Sequence, residues 1–488
     1  MTQPSTGSVE IPPDEPPVAP DRLARGARDA PDALGAPGAP GAPGLVAALD
    51  ATVARARGSA LYRERLAGVR IRSLDDLREL PLTTRADLQA AGPHGTRALP
   101  LDRLCHYGES SGTSGVSNSV WLTAADFARD AEAIRAAHPD VFAPGRIILN
   151  RFPFMAAPAH LIQLIAQRGA GVAIPGGNIN WDVPFPRALE LARQTGAHVL
   201  ASLPLEPIVL GEIARAKGIA PADLPIDTLF LGGAPLPPAL QRRLTRVWGA
   251  RVIELYGSTE TMLLGTSCPA GTLHPETSLA HCEVLPIEGT AEGRLVVTTI
   301  GIEGSPLVRF DTGDVVRTAA TCPCGDPRPG LVVLGRVADA IEMAGRRLYP
   351  YDLIDAAAAA ADALDSSVFF IVVLPGRILL RVETLVDRSG DARDALAARL
   401  PGIPFEVEPV PPGMLLDVEM LSRTPSVYKP VVLSDWRRPG RPILTFEEGM
   451  IEWPRPTWAE GRRWLSRKLR TAARRRRLRR GLAPGAGR

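Results

Sequence analysis

Short apolar runs rich in β-branched residues alternate with stretches of helical period along most of the chain. The runs at 146–150, 171–174, 228–231 and 251–255 predict strands, and the stretches 45–56, 124–137 and 237–247 predict helices. Alternation of this kind is typical of an α/β fold built from layered sheets and helices. The ends of the strands are where such sheets usually bind ligands.

The composition divides the 488 residues into four parts. Residues 1–44 are rich in proline, glycine and alanine and predict a disordered leader, because they cannot bury enough apolar surface to fold. Residues 45–336 form the large predicted unit. Residues 337–436 predict a small α+β unit, with helices at 353–363 and 392–400 and strands at 368–373 and 378–382. Residues 437–488 predict a basic tail.

The positive charge of the chain is concentrated near its end. Residues 457–488 carry twelve Lys or Arg against one acid, a local charge of +11; subtracting this from the total of +3 leaves −8 for the rest. Arginine-rich runs are usually solvated. The alternatives are weak contact with a membrane surface through Trp458 and Trp464, and contact with nucleic acid phosphates, although no specific nucleic-acid-reading module accompanies the run.

The composition also bears on cellular location. No apolar run approaches the ~18 residues of a membrane span. A secretory signal would begin with basic residues followed by an apolar stretch, but this part of the chain contains Glu10 and Asp14. We therefore expect a cytoplasmic protein. Five cysteines in a long chain of this kind argue against a disulfide framework.

A loop rich in glycine and hydroxyl groups follows the first predicted helices. Its members are Ser110, Ser111, Gly112, Thr113, Ser114 and Gly115. Backbone N–H and side-chain O–H groups in such a loop can converge on an anion, which is how phosphates are held. No Gly-Lys-Ser/Thr sequence follows, so a Walker A loop is excluded. Taken alone, the loop could equally be a linker.

Four further motifs change that interpretation. Tyr256, Gly257, Ser258, Thr259 and Glu260 together offer an aromatic ring, hydroxyls and a carboxylate for Mg²⁺. Asp314 offers an acid for ribose hydroxyls. Arg336 follows Gly335 at the predicted boundary, and Lys429 is one of only three lysines, the others being Lys217 and Lys468.

In this order the motifs resemble the adenylate-forming superfamily of acyl-CoA synthetases, adenylation domains and luciferases. Within it the chain is most similar to the phenylacetate-CoA ligase family, over about residues 45–436. The segments that carry this similarity are residues 256–260, Leu273-His274-Pro275-Glu276, and Cys322-Pro323-Cys324-Gly325 ahead of Gly335-Arg336. Gly345 opens a segment that ends in Tyr349-Pro350 and also matches.

The resemblance implies a large adenylate-forming domain, a small mobile C-terminal domain and two half-reactions at one site. A carboxylate attacks the α-phosphate of Mg-ATP to give an acyl-adenylate, and a thiol then displaces AMP. Ser110 to Gly115 would hold the β- and γ-phosphates. Gly232, Gly233, Ala234, Pro235 and Tyr256 would enclose the adenine and the acyl pocket.

The remaining roles follow from the same resemblance. Thr259 would contact the α-phosphate and Glu260 would bind Mg²⁺. Asp314 would hold the ribose, with Arg336 nearby. Lys429 would stabilise the charge that develops during adenylation, the electrostatic role that typically dominates such catalysis.

Two positions depart from the family pattern. No lysine follows the phosphate loop between Val116 and Val120, so pyrophosphate would be held by hydroxyls, backbone and arginine. The acid expected two residues after Arg336 is replaced by Ala338. Either the neighbouring Asp339 takes its role or the swivel of the small domain is altered, which affects the thiol half-reaction more than adenylation.

Four residues have the spacing of a metal site. Cys268, His274, Cys322 and Cys324 form Cys-x5-His and Cys-x-Cys pairs, which predict a closed, tetrahedral structural zinc site. Cys282 or His281 could replace one ligand. The alternatives are four reduced, partly buried side chains or a disulfide.

The acyl pocket is less constrained by the sequence. Phe152, Pro153, Phe154, Met155 and His160 follow a predicted strand and could line an apolar slot for an aromatic acid. They could equally belong to the core.

We therefore expect an ATP-dependent, AMP-forming ligase that activates an aryl or arylalkyl carboxylic acid and transfers it to coenzyme A. The expected cofactors are ATP, Mg²⁺, coenzyme A and a structural Zn²⁺, and a homodimer is left open. One alternative passes the acyl group to a carrier protein or an amine in a biosynthetic pathway. Another is a non-catalytic nucleotide-binding scaffold, against which Glu260, Asp314 and Lys429 argue.

Overall fold

The structure is a computed structural model of the chain. It describes residues 44–110, 117–154, 157–177, 183–319, 321–386, 388–423, 426–427, 431–438, 443–446, 451–452, 470–474 and 478. Several predictions fall outside the described residues: the leader before Gly44, the loop residues Ser111 to Gly115, Met155, Lys429, Trp458 and Trp464. Among the described helices, none combines the length and the apolar character needed to cross a bilayer.

Several helices begin at a side-chain cap or at a proline. They are α1 (Leu45–Ala56), α2 (Ala60–Arg63), α3 (Leu74–Arg78), α4 (Arg85–Gly95), α5 (Ala124–Ala137), α6 (Ala157–Arg168), α7 (Phe185–Thr195), α8 (Glu206–Ala216), α9 (Pro238–Trp248), α10 (Pro350–Ala363), α11 (Ser389–Arg399) and α12 (Val418–Arg423). Capping boxes formed by Thr84 with Asp87 and by Thr123 with Asp126 start α4 and α5. The spans of α1 and α5 coincide with the predicted helices.

The strands fall into several sheets. They are β1 (His106–Glu109), β2 (Ser119–Leu122), β3 (Ile147–Asn150), β4 (Val172–Pro175), β5 (Val199–Ser202), β6 (Thr228–Gly232), β7 (Arg251–Ser258), β8 (Met262–Ser267), β9 (Leu273–Pro275), β10 (Ala280–Pro286), β11 (Gly293–Thr299), β12 (Phe310–Ala319), β13 (Gly330–Arg336), β14 (Ile341–Met343), β15 (Arg346–Leu348), β16 (Phe369–Leu374), β17 (Arg377–Glu383), β18 (Phe405–Val410), β19 (Ser426–Val427), β20 (Leu433–Asp435) and β21 (Ile451–Glu452).

Over the described residues, the largest sheet has eleven strands in the order β10-β11-β12-β13-β9-β8-β7-β6-β5-β3-β4. Strands β4, β3, β5, β6 and β7 are parallel, and the strands from β8 onward pair antiparallel. The predicted α/β fold is confirmed. Several boundaries differ from the predictions, and that of β7 bears on the site. This strand continues to Ser258, because pairing with β8 carries the 256–258 motif inside the strand.

The parallel strands β3, β5 and β6 are covered on both faces. Leu149, Leu200 and Leu229 point to the core shared with α7, α8 and α9, whereas Ile148, Val199 and Phe230 point to the core shared with α5 and α6. Neighbouring residues alternate between the two cores because successive side chains of a strand face opposite sides. Continuous apolar runs are therefore required here, as in other sheets covered on both faces.

The small unit is a four-stranded sheet, β18-β17-β16-β20, packed against α10 and α11. Its apolar side chains join the core formed by α7, α8 and α9. At the contact between α9 and α10, the buried Arg243 donates to Ser367, Asp362 and Asp365, and the Ala239 N–H donates to Asp355 at 2.8 Å. In this arrangement the two units share one apolar core.

Residues beyond Trp436 also pack against the small unit, which differs from the predicted separate basic tail. Leu444, Phe446 and Leu478 are buried in the shared core. Arg474 pairs with Glu406 and Glu408 on β18 at 3.3 and 3.2 Å. The prediction did not weigh these apolar positions, whose burial offsets the cost of ordering the chain around them.

Candidate active site

A cavity of about 210 Å³ opens at the carboxyl ends of the parallel strands. Nine of the predicted site residues line it: Ser110, Gly232, Gly233, Tyr256, Gly257, Ser258, Thr259, Glu260 and Arg336. They come from β6, β7 and β13 and from the end of β1, so sheet pairing brings together segments that lie far apart in the sequence. This is the position at which open α/β sheets bind ligands.

Four other predicted residues lie elsewhere. Ala234 and Pro235 lead into α9 and do not line the cavity. Gly345 forms the turn of the β14–β15 hairpin with φ 71°, a left-handed conformation that favours glycine, and it does not line the cavity either. Asp314 reaches the site through contacts with two lining residues, Tyr256 and Arg336.

Glycine is required at position 257. A Cβ atom there would stand 2.2 Å from the carbonyl oxygen of Met262, because β7 and β8 approach closely at a bulge between Tyr256 and Gly257. The tight turn from β7 into β8 ends at Met262, whose φ is 61°. This backbone path presents Ser258, Thr259 and Glu260 to the cavity.

Glu260 is the buried acid of the site. Its side chain is 2% exposed. Asn118 Nδ2 donates to Glu260 Oε1 at 2.7 Å, and the guanidinium of Arg85 lies 3.7 Å from the same oxygen. The polar end of the cavity thus combines a carboxylate, an amide and a cation.

Arg85 was not identified by the sequence analysis. It is the first residue of α4 and lines the cavity, although it precedes Glu260 by 175 residues. The only signal was the Thr84–Asp87 capping box, which marks a helix start without indicating which way the arginine faces. An arginine for pyrophosphate was expected, but its position was not.

A network around Thr83 fixes the position of Arg85. Thr83 N–H donates to the Arg309 carbonyl and the Asp311 N–H donates to the Thr83 carbonyl, both at 2.8 Å. Tyr62 Oη donates to Thr83 Oγ1 at 3.0 Å. Arg309 is itself buried and pairs with Glu283. The segment before α4 is therefore anchored on β12, which carries Asp314.

Tyr256, Asp314 and Arg336 form a polar group on one side of the cavity. Asp314 and Arg336 are paired across β12 and β13, and Arg336 Nε lies 4.0 Å from Asp314 Oδ1. Tyr256 Oη donates to Asp314 Oδ2 at 2.7 Å. Burial and the Asp314 carboxylate raise the pKa of Tyr256 well above its ordinary value, so the phenol remains a donor. Burial raises the pKa of Asp314, opposed by Tyr256 and Arg336.

The other end of the cavity is apolar. Its walls are Phe152, Pro153, Ala157, Pro158, Leu161, Leu203, Leu255, Met262 and Leu263. Two of the predicted acyl-pocket residues, Phe152 and Pro153, are among them. Phe154 is 46% exposed, and His160 Nε2 donates to the Phe154 carbonyl at 2.8 Å; neither residue lines the cavity.

A fully buried ion pair joins the two chain segments that frame the apolar end. Arg151 Nε donates to Glu206 Oε1 at 2.5 Å, and both side chains are 0% exposed. Arg151 also donates to the carbonyls of Gly176 and Val183 at 3.2 and 2.7 Å. Because Phe152 follows Arg151 and Leu203 shortly precedes Glu206, the pair fixes these two cavity walls relative to each other.

The four predicted metal ligands converge where β8 ends and β9 begins, in the interior of the large sheet. The ligand atoms of Cys268, His274, Cys322 and Cys324 all lie within 4.8 Å of one another. His274 Nδ1 is 3.1 Å from the Arg328 carbonyl, which leaves Nε2 facing Cys324 Sγ at 3.4 Å. Cys282, which had been an alternative ligand, is buried in an apolar core, where burial raises its pKa to about 12.

The AMP-binding enzyme family matches residues 47–291, about half of the chain. The chain belongs to the family of AMP-binding enzymes. For this AMP-binding enzyme, the match covers the parallel strands, Ser110, the 256–260 motif and the first two cysteine-cluster residues.

The relatives of this AMP-binding enzyme include phenylacetate-coenzyme A ligases. That of Thermus thermophilus is 26% identical over 295 residues, which cover 57% of this chain and 65% of the relative. That of Escherichia coli is 25% identical over 318 residues, covering 60% and 70%. The alignment thus spans just under two thirds of the Thermus ligase. These relatives confirm the predicted resemblance to the phenylacetate-CoA ligase branch.

Solved structures show the same fold. A 2-hydroxyisobutyryl-CoA ligase in the postadenylation state with 2-HIB-AMP has a TM-score of 0.70 at 21% identity, covering 88% of this chain and 95% of that one. The same ligase in its thioesterification state, with 2-HIB-AMP and CoA, has a TM-score of 0.58, covering 87% and 95%. At this identity the similarity concerns the fold alone.

Proposed function

We propose that this AMP-binding enzyme uses ATP to activate a carboxylic acid as an acyl-adenylate and transfers the acyl group to coenzyme A. The observation that carries the proposal is a single cavity with a polar end containing Thr259, Glu260 and Arg336 and an apolar end that can receive the acyl group of an acid. Phenylacetate-coenzyme A ligases among its relatives support the same chemistry.

In the first half-reaction, a carboxylate oxygen of the acid forms a bond to the α-phosphorus of ATP and pyrophosphate leaves. Thr259 would contact the α-phosphate, and the loop that begins at Ser110 would hold the phosphates beyond it. Asp314 would accept hydrogen bonds from the ribose, supported by Tyr256 and Arg336. Lys429 is assigned the stabilisation of charge on the reacting oxygens.

Glu260 suits a Mg²⁺ ligand. Its carboxylate is nearly fully buried, and its nearest cation, Arg85, is too distant at 3.7 Å for a close bidentate pair. Mg²⁺ favours carboxylate and phosphate oxygens, and when bound it would offset the negative charge of the phosphates. Asn118 keeps the carboxylate in one orientation through the 2.7 Å hydrogen bond.

Arg85 supplies the positive charge that the sequence lacks after the phosphate loop. It faces the same end of the cavity as Ser110 and Glu260. A guanidinium there can bind the pyrophosphate portion of ATP through two N–H groups. We assign Arg85 to ground-state binding of ATP and to the charge on leaving pyrophosphate.

The apolar end indicates the type of acid. Among the described residues, the charged side chains that line the cavity are Arg85, Glu260 and Arg336, all at the polar end. A second carboxylate or an amine on the acid would lie unpaired against leucines and prolines, which is costly. The acid is therefore neutral apart from its carboxylate, and aryl or arylalkyl acids fit.

In the second half-reaction, the thiol sulfur of coenzyme A attacks the acyl carbon and AMP leaves. The hinge position raises an alternative, because Ala338 stands where an acid is expected. Asp339 lies 3.6 Å from Arg438, and Arg438 also donates to the Ala340 carbonyl. If this pairing restrains the hinge, the acceptor would instead be a carrier protein or an amine.

The cysteine cluster is assigned a structural zinc ion. Three thiols and one imidazole complete a tetrahedral set without an open position. The donor set fits the metal because the second nitrogen of His274 already has the Arg328 carbonyl as partner, an arrangement that orients metal-bound histidines. The ion would link the 268–274 segment to the 322–324 loop.

The test is pyrophosphate release by the purified protein with Mg-ATP and a panel of aryl, arylalkyl and fatty acids, with and without coenzyme A. We expect release that depends on an aryl or arylalkyl acid, and AMP formation with the acyl thioester in the presence of coenzyme A. Release that coenzyme A leaves unchanged, with transfer to a carrier protein or an amine, would favour the alternative acceptor. Absence of release and of nucleotide binding would overturn the proposal.

A further inference from the structure

The two ends of the phosphate loop are joined by hydrogen bonds between Ser110 and Asn118. The Ser110 N–H donates to the Asn118 carbonyl at 2.9 Å, and the Asn118 N–H donates to Ser110 Oγ at 2.9 Å. Both bonds use the backbone of Asn118, so they do not require its side chain. They close the base of the loop whatever residue stands at 118, provided it is not proline.

The Asn118 side chain has a different partner. It is 1% exposed, and its Nδ2 donates to Oε1 of Glu260, 142 residues later in the chain. The direction of this bond is fixed, because a carboxylate only accepts and the amide must turn its NH₂ group toward it. Asn118 Oδ1 therefore faces away from Glu260, and it is buried with no hydrogen-bond partner among the described residues.

An asparagine that served packing alone would be expected to satisfy both ends of its amide, since buried polar groups in folded proteins nearly always have partners. Asn118 instead donates from Nδ2 to the Glu260 carboxylate, and its Oδ1 has no partner among the described residues. A hydrophobic or hydroxyl side chain could fill the space, but neither could reach Glu260 with an NH₂ group while the backbone closes the loop.

We propose that Asn118 is a positioning residue that couples Ser110, at the base of the phosphate loop, to Glu260, so that Ser110 and the divalent cation are held at a fixed separation. The inference rests on the proposed function, in which Glu260 binds the cation and the loop binds the phosphates. It predicts that Asn118 determines how much a divalent cation strengthens nucleotide binding, and that it contributes little to nucleotide binding without the cation.

The experiment measures binding of a non-hydrolysable ATP analogue by calorimetry at a series of Mg²⁺ concentrations and in EDTA, with Mn²⁺ binding followed by electron paramagnetic resonance. Two variants are used. Asn118→Ala removes the amide and keeps the backbone bonds to Ser110. Asn118→Asp keeps the shape of the side chain but replaces the donor with an acceptor facing Glu260.

Asn150→Ala serves as a matched control. Asn150 is also a buried asparagine at a strand end, 2% exposed, and its Nδ2 donates to the Ala159 carbonyl at 2.8 Å. Its loss should lower thermal stability without changing the dependence of nucleotide binding on Mg²⁺. Any effect shared by Asn118→Ala and Asn150→Ala is thereby assigned to stability.

For Asn118→Ala we expect the increase in affinity for the ATP analogue that Mg²⁺ or Mn²⁺ produces to be about tenfold smaller than in the wild type. The affinity in EDTA should stay within about twofold of wild type. Asn118→Asp should lose more, because two carboxylates would face each other. Wild-type cation dependence in Asn118→Ala, or an equal loss with and without the cation, would overturn the inference. Absence of cation-dependent binding in the wild type would instead overturn the proposed function.

Discussion

Replacing Arg151 by methionine should destabilise the protein in a way that depends on pH. Arg151 and Glu206 are both 0% exposed, so the variant leaves a carboxylate inside the protein without its partner. Removing one member of a buried pair typically costs about 3–5 kcal/mol of the free energy of unfolding. Two further bonds from Arg151, to the carbonyls of Gly176 and Val183, are lost with it, which favours the upper part of this range.

The sign of the pH dependence follows from the pKa of Glu206. Burial raises this pKa and Arg151 opposes the rise, so in Arg151→Met the pKa rises further. The folded variant then keeps a proton that the unfolded chain releases near pH ~4.3. Its free energy of unfolding therefore decreases as the pH increases above that value, until the folded-state pKa is reached. The deficit relative to wild type should be larger at pH 8 than at pH 5.

Urea unfolding at both pH values, followed by tryptophan fluorescence, measures the effect. Trp248 is a suitable local probe because it is buried and its Nε1 donates to the Pro207 carbonyl, next to Glu206. The double variant Arg151→Met/Glu206→Leu should recover much of the stability, since an apolar pair of similar volume can replace a buried ion pair. A loss under about 1 kcal/mol in the single variant, or one equal at both pH values, would refute the reasoning.

Four further predictions concern the proposed site. Arg85→Leu should raise the KM for ATP about tenfold, about 1.4 kcal/mol, with a smaller change in the KM for the acid; a change confined to the acid would contradict its assignment. Glu260→Gln should lower acid-dependent pyrophosphate release by about 100-fold or more, and excess Mg²⁺ should not restore it. Lys429→Ala should lower adenylation by about 100- to 1000-fold while sparing thiolysis of preformed acyl-adenylate, and equal loss in both half-reactions would reject the role. Elemental analysis should find about one zinc per chain, and Cys322→Ser should lose it together with thermal stability; a metal-free, stable wild type would defeat the assignment.

The parts of the fold that follow from local pattern were predictable. Strands such as 229–231 are apolar throughout because helices cover both faces, and α5 begins at a capping box that can be recognised in the sequence. The meeting of Tyr256 with Asp314 was anticipated only through the family resemblance. No local pattern indicates that residues 58 positions apart will share a hydrogen bond.

Other features depend on tertiary packing and were missed. Arg85 faces the cavity because backbone hydrogen bonds anchor Thr83 on β12. Such bonds can form with almost any residue type, so the sequence does not predict them. Leu444, Phe446 and Leu478 stand among prolines and arginines, so composition suggested a solvated tail although these side chains are buried. Phe154 was, with Phe152, a candidate for either the acyl pocket or the core, but its side chain is 46% exposed and does not line the cavity.

Helix α10 is almost entirely alanine from Ala356 to Ala361, and it lies between the small sheet and α9. Alanine has no rotamers to lose and forms only shallow ridges, so this part of the helix does little to fix its position along its neighbours. The alanines supply buried area but little directional preference. A few polar contacts, those of Arg243 and Asp355, therefore determine the orientation of α10 relative to α9. Single substitutions at these two residues should redistribute the population of orientations while leaving the buried apolar surface almost unchanged.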